Sequence, residues 1–282
     1  MQDPMQDTLS SLPNINPRIA DCQSVMPQSA LSASDTDTAL RLSVGWARDQ
    51  AEVREAQHLR WRVFGQEIGA QLKSASRELD EDVFDDYCEH LIVRNRASNE
   101  VVGTYRLLTP TQARRAGSYY SETEFDLTRL RAIRDDMVEL GRSCVHPSYR
   151  DGSVIMALWS ALAQFMATNQ LRWMIGCATV PMSGRTSAPG HEAASIWRKA
   201  FDMRPGPVEH RVRPRLPLPI ASLKQDMSVD LPPLIKGYLR LGASVIGEPA
   251  WDPAFNAADL PMLLNLDQIP SRYRKHLLGG LV

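Results

Sequence analysis

The stretch ELGRSCVHPSYRDG, Glu139 to Gly152, runs directly into the apolar run SVIMALWSALAQFMA, Ser153 to Ala167, and reading this junction decides the fold. MVELGRSCV (137–145) and RWMIGCATV (172–180) are rich in β-branched and apolar residues and flank the apolar run. The order strand, turn, helix, strand predicts a parallel or splayed pair with a helix packed on the sheet. Side chains alternate along a strand, so Glu139, Gly141 and Ser143 face one way and Leu140, Arg142 and Cys144 the other. Glu139 and Arg142 can share a face only across a bulge, for which Gly141 is the natural place, and bulges lie often beside active sites. The competing reading is an edge strand with solvated charges. The turn HPSYRDGS exposes backbone N–H groups at the positive end of a helix, a feature suited to phosphate.

Upstream, LRLSVGWARD reads as a first strand, and Asp49 with Glu52 three residues on makes a capping box for a helix reaching Ile68. Within that helix Val53, Ala56, Leu59, Arg60, Val63 and Phe64 recur at helical spacing. HLIVRN, the turn ASNE and VVGTYRLLTP form a β-hairpin with a bulge at Gly103, and YYSETEFDLTRL is a polar connection. From Met182 to Pro233 Pro and Arg accumulate, and only GHEAASIWRKAF looks helical. LIKGYLRLGASVIGE then reads as helix, Gly, strand. The chain divides into a flexible tail over 1–42, a core over 43–182, a Pro/Arg-rich insertion or lid over 183–230, and a part over 231–282 that completes the core. No internal repeat is present.

A net charge of −1 over 282 residues excludes a general nucleic-acid binder, so charged recognition must be local. Four widely spaced cysteines without a CxxC pair fit a reducing cytoplasm. The first residues lack the basic and apolar regions of a secretory signal. The apolar run at 154–167 is shorter than the about 20 residues of a membrane span and reads as a buried helix, with interfacial membrane contact as the alternative.

Cys144 and His146 lack a third orienting residue, so a small core cysteine outweighs a thiol nucleophile there. The histidines lack metal-site spacing, and no metal is expected. RELDEDVFDDYCEH (77–90) holds seven acids; it is either a solvated loop or, anchored by Phe84 and Tyr87, a seat for a cationic substrate. Arg211, Arg213 and Arg215 recur at period two on one side of an extended segment, which suits an acidic partner as well as a solvated linker.

These features line up with one arrangement. Arg60, Phe64 and the following GQEIGA, DVFDDYCEHLIV, VVGTYRLLTP, SYYSETEFDL, ELGRSCVHPSYRDGSVIMALW, GCATVP and LPPLIKGYLRLGASVIGEPAWDPAFNAADL resemble the carrier-protein-dependent L-ornithine N-acyltransferases of the GNAT superfamily, over residues 43 to 276. More distantly the chain is similar to acyl-homoserine-lactone synthases, whose Arg, Phe, Asp-x-x-Asp, Arg and Glu-x-x-Arg pattern is matched by Arg60, Phe64, Asp82 with Asp85, Arg106, and Glu139 with Arg142. It departs from them in Ala70, where they carry Trp, and in its longer C-terminal part, which moves the implied substrate from S-adenosylmethionine to an amino acid. The GNAT pyrophosphate loop is incomplete, as a donor with a single phosphate allows.

The resemblance implies an α/β GNAT fold: a mixed central sheet with a splayed strand pair and helices on both faces. It implies transfer of a 3-hydroxyacyl chain from acyl carrier protein to the α-amine of L-ornithine, giving lyso-ornithine lipid. Glu139 would be the base, and Arg142 would steady either Glu139 or the substrate carboxylate. Arg60, Phe64, Asp82, Asp85 and Arg106 would shape the amino-acid pocket, with the two aspartates pairing with the side-chain amine. The backbone at Ser143, Cys144 and Val145 would hold the oxyanion and the pantetheine, and Arg150, Gly152 and Ser153 the phosphate. Arg211, Arg213 and Arg215 would dock the carrier protein. No bound cofactor is implied beyond the donor's 4'-phosphopantetheine, and the setting would be cytoplasmic with peripheral membrane contact. Alternatives are acylation of another amino acid such as glycine, an autoinducer-synthase-like activity, and a non-catalytic module binding carrier protein or membrane.

Overall fold

The computed structural model describes residues 41–278 apart from residues 75 and 184–187. The tail expected over 1–42 thus falls almost wholly outside the described residues. The strands are β1 (Leu42–Trp46), β2 (Glu89–Asn95), β3 (Val101–Leu108), β4 (Phe125–Asp126), β5 (Met137–Val145), β6 (Trp173–Pro181), β7 (Arg213–Pro214), β8 (Ser244–Val245), β9 (Ala250–Asp252) and β10 (Ala257–Asn265). The helices are α1 (Gln50–Arg60), α2 (Pro110–Ala116), α3 (Ser153–Thr168), α4 (His191–Met203), α5 (Pro233–Leu241) and α6 (Ser271–Leu278).

The main sheet runs β1-β2-β3-β5-β6-β10-β8, with β9 also on β10. Every pairing is antiparallel except β5 with β6, so the sheet is mixed as expected. Alternation along β2 decides which helix covers which face. Leu91 and Val93 pack in the cluster that holds α3, and Ile92 between them packs with Ala56 and Leu59 of α1 and with Val63 just beyond it. Helices therefore lie on both faces. The apolar run is the buried helix α3, with Val154, Ile155, Leu158, Trp159, Leu162 and Met166 buried, and no described helix is long and apolar enough to cross a membrane.

Local details correct several expectations. Asp49 does cap α1, accepting from the amides of Ala51 and Glu52, each at 3.0 Å. Glu52 reaches back to the amide of Arg48 rather than that of Asp49, so the reciprocal bond sits one residue further out. The helix expected to reach Ile68 changes at Trp61 into wider π-type turns over Trp61–Ile68 and stops at Gly69, whose φ of 81° favours glycine. The hairpin bulge lies beside Gly103, which itself pairs with Val93. Gly103 is needed for a different reason, because a Cβ there would overlap Cγ1 of Val154 on α3.

The described residues of segment 183–230, expected as an insertion or lid, pack into the body. Ala193, Ala194, Ile196, Trp197 and Ala200 of α4 are buried in the main core, and Trp197 Nε1 donates to the carbonyl of Gly247 at 2.8 Å. β7 pairs with β4. The C-terminal part supplies β10, nine residues long, which lies antiparallel along the whole of β6.

Candidate active site

β5 and β6 pair at only three positions, Met137 with Trp173, Val138 with Met174, and Glu139 with Ile175. Beyond Glu139 they part. Two features of the sequence mark the place where they do. Arg142 and Ser143 together oppose the single residue Tyr105 of β3, between the pairs Thr104–Cys144 and Arg106–Gly141. This is the anticipated bulge, but the left-handed conformation falls on Arg142 (φ 51°) and not on Gly141, a strained choice for a side chain of that size. On the facing strand, Gly176 has no side chain to hold off the Leu140 carbonyl, which would lie 2.6 Å from a Cβ there.

The gap opens into a cleft of about 1530 Å³, counting space open to solvent. Its walls include Glu139 through Val145 on one side and Cys177, Thr179 and Pro181 on the other, with Phe64 and Arg106 behind, and Ile155, Leu234 and the Tyr105–Tyr238 hydroxyl pair at 2.8 Å also lining it. Ser143, Cys144 and Val145 line it as expected. The Cys144 side chain packs in the small core under α1.

Glu139 is 5% exposed and lies at the fork. Its Oε2 accepts from the Tyr120 amide at 2.6 Å, and its Oε1 from the Ser121 amide at 2.6 Å and from the Ser121 hydroxyl. Burial pushes its carboxyl above the usual range, opposed by the bonds from Ser121 and Tyr120. A carboxylate offers about four acceptor positions, and three of them are filled.

Arg142 does not hold Glu139. Its guanidinium lies 5.2 Å from the ring centroids of both Tyr120 and Phe255 and pairs with Asp80 at 3.3 Å and Asp82 at 3.4 Å. Its buried Nε makes no hydrogen bond.

The remaining residues expected to shape the pocket do assemble. Arg60 forks onto Asp85 at 3.0 and 2.8 Å and meets Asp80 at 2.9 Å. Arg106 reaches Asp82 at 2.6 Å and Asp85 at 3.2 Å. Burial would raise the Asp85 carboxyl, but Arg60 and then Arg106 overcome it and hold it well below the usual range. Phe64 meets Phe255 edge-on at 5.7 Å. Three arginines thus answer Asp80, Asp82 and Asp85, which leaves these acids no spare charge for a substrate amine.

The turn before α3 is also committed. Arg150 forks onto Glu67 at 2.6 and 2.7 Å and donates to the Val145 carbonyl. Gly152 caps the helix with φ 98°, and the Ser153 amide and hydroxyl donate to Asp151. Of the three period-two arginines, all are exposed and Val212 between them is buried, which places them on one side. Arg211 covers the Phe201 ring at 5.4 Å, and Arg215 Nε donates to the Glu122 carbonyl at 2.7 Å.

The sequence reading missed a second group in this region. On β6 and β10, Thr179 faces Asp259 directly, Oγ1 to Oδ1 at 2.6 Å. Glu124 hydrogen-bonds Asp259 and Tyr120, and Cys177 lies beside it. Burial, the charge of Asp259 and their mutual hydrogen bond raise Glu124 to about 10. Among the described residues this is the one group, Glu124, Cys177 and Asp259, whose donor atoms lie close enough together to hold a metal. The signal available in the sequence was Asp259 itself, an acid inside the apolar run AADLPMLLN.

The acetyltransferase (GNAT) domain family matches residues 59–160, which span Arg60, the acidic loop, β3, Glu139 and the start of α3. An L-ornithine N(alpha)-acyltransferase of Brucella abortus is 34% identical over 267 residues, covering 87% of this chain and 94% of its own. Another, of Rhodobacter capsulatus, is 33% identical over 248 residues, covering 84% and 94%. Among solved structures, the AHL synthase LasI superimposes with a TM-score of 0.48 at 13% identity, covering 86% of this chain and 95% of that one.

Proposed function

The chain belongs to the L-ornithine N(alpha)-acyltransferase family, and from that premise we propose that it moves an acyl chain from a carrier-protein thioester to the α-amine of ornithine, giving lyso-ornithine lipid. The observation that carries the reading is the fork of β5 and β6 at Glu139, which sets a buried carboxylate with one free acceptor position at the mouth of a cleft lined by unpaired strand.

In this reading Glu139 takes a proton from the α-ammonium, directly or through a water. The neutral amine attacks the thioester carbonyl, the carbon–nitrogen bond forms, and negative charge gathers on the oxygen. An amide at Ser143 or Cys144, at the edge of the bulge, stabilises that charge. Collapse breaks the carbon–sulfur bond, the second proton of the attacking nitrogen passes to the departing sulfur, and the thiol leaves on the carrier's pantetheine arm, for which Ser143 to Val145 supply strand-like partners. Arg150, Gly152 and Ser153 stand at the phosphate end, where the pairing of Arg150 with Glu67 makes it a brace for the turn. Arg60, Arg106, Asp82 and Asp85 act as the frame that fixes Arg142 and Phe64. Arg211, Arg213 and Arg215 form the surface offered to the acidic carrier. The reading includes a cytoplasmic setting with peripheral contact at the inner membrane face, where a single-chain lipid product partitions.

The test is incubation of the purified protein with 3-hydroxyacyl carrier protein and, separately, ornithine, lysine, glycine and S-adenosylmethionine, with products identified by mass spectrometry. N-acylated ornithine is expected. Binding of the carrier with no acceptor acylated would leave a non-catalytic module in its place, and acylation of glycine alone would move the acceptor.

A further inference from the structure

Counting charge around the cleft separates two acidic groups that look alike in the sequence. Asp80, Asp82 and Asp85 are matched by Arg60, Arg106 and Arg142. Glu124 and Asp259 face each other with no such partner: none of the ion pairs among the described residues reaches either of them, and the third acid nearby, Asp252, is also without one. Asp259 and Asp252 line the cleft of Glu139, and Glu124 and Asp252 line the adjoining hollow, into which Arg142 also projects. The pair therefore stands where the two spaces meet.

One residue ties this pair to the reaction centre. Tyr120 donates its amide to Glu139, lays its ring under the Arg142 guanidinium and hydrogen-bonds Glu124 through its hydroxyl. Within that small compass lie the Arg142 guanidinium, whose Nε sits 3.3 Å from Asp80 Oδ2 without making a hydrogen bond, and the half-buried Glu124 against the buried Asp259, a pair that no ion pair among the described residues reaches. A zwitterion that carries an additional ammonium complements both.

Resting on the acyltransferase reading above, we propose that Glu124 and Asp259 determine the acceptor by seating the side-chain ammonium of a diamino acid, while Arg142 takes its carboxylate and the α-amine is left facing Glu139. Without ligand the pair holds a proton, because burial and mutual repulsion disfavour two charges there. Tyr120, Cys177, Asp252 and Arg142 face it, and of these Arg142 alone is cationic. An arriving ammonium replaces the proton, which passes to the buffer.

The experiment compares ornithine with norvaline, which has the same carbon chain and no side-chain amine. In the wild type kcat/KM should favour ornithine, and in the Glu124→Gln, Asp259→Asn and double variants it should fall about thirtyfold or more for ornithine while staying within about twofold for norvaline. The norvaline rate also shows that the variants are folded. Independently, titration calorimetry of the wild type in buffers of different ionisation enthalpy should show proton release with ornithine and not with norvaline. Variants that keep the ornithine-to-norvaline ratio would overturn the inference and leave the transferase standing. So would ornithine binding with no more proton release than norvaline. Ornithine binding with proton release but no acylation would keep the seat and remove the transferase.

Discussion

Two glutamates within the same pocket region are held in opposite ways. Glu139 receives three donors and stays a competent acceptor, whereas Glu124 receives another acid. Glu139→Gln should therefore lower kcat by about 10²–10⁴-fold with the melting temperature little changed; a near-normal rate would remove it as base. Glu124→Gln should show the reverse in stability. Its folded pKa is raised above the unfolded value near 4.3, so its favourable contribution is present below that value and is lost as pH climbs toward about 10. The variant should melt higher than the wild type, by a margin that widens from pH 5 to pH 9, as calorimetric scans at several pH values would show. The arginine and aspartate partners Arg60, Arg106, Asp82 and Asp85 were legible only through the family resemblance, since the acidic run by itself reads equally as a solvated loop. Glu124 with Asp259 was not, because the acid inside AADLPMLLN marks only one member and the two, 135 positions apart, meet only in the folded chain.

Strands and helices carry a different kind of constraint, which two glycines separate. A methyl group at Gly176 would press on the Leu140 carbonyl at the fork, and one at Gly103 would press on Val154 far from it. Both Gly→Ala changes should cost about 1–3 kcal/mol by overpacking, measured by chemical denaturation. Only Gly176→Ala should also raise KM for the acyl donor, since only there does the misfit change how the strands part. Equal kinetic effects of both would argue that the fork is not special. At this scale the hairpin, the strand–helix–strand order and the Asp49 cap follow from short-range pattern and were read correctly. The order of the sheet was not readable, because it depends on which edge of β6 a distant strand takes. The π-type turns were hidden too, since their apolar spacing passes for an ordinary helix over so few residues.

For the molecule as a whole, a net charge of −1 means that the acidic carrier of the proposed reaction would be drawn by local surface alone. Reversing Arg211 and Arg213 to Glu, and leaving Arg215 to hold the Glu122 carbonyl, should raise KM for the carrier-bound donor roughly tenfold at low salt. The difference should shrink as ionic strength rises, and KM for ornithine should not move. An unchanged donor KM would place docking elsewhere. The sheet itself has a mechanical consequence. Its two halves, β1-β2-β3-β5 on one side and β6-β10-β8 on the other, are joined strand to strand by three residue pairs at one end, and beyond them, among the described residues, by side-chain packing rather than by a ladder. Such a seam works like a clothes-peg spring: a few degrees of rotation about Met137–Glu139 widens the far end by ångströms while each half keeps its own hydrogen bonds. On the proposed function, a bulky thioester would then be admitted by flexing of the scaffold rather than by lifting of α4, whose apolar side chains are buried in the core.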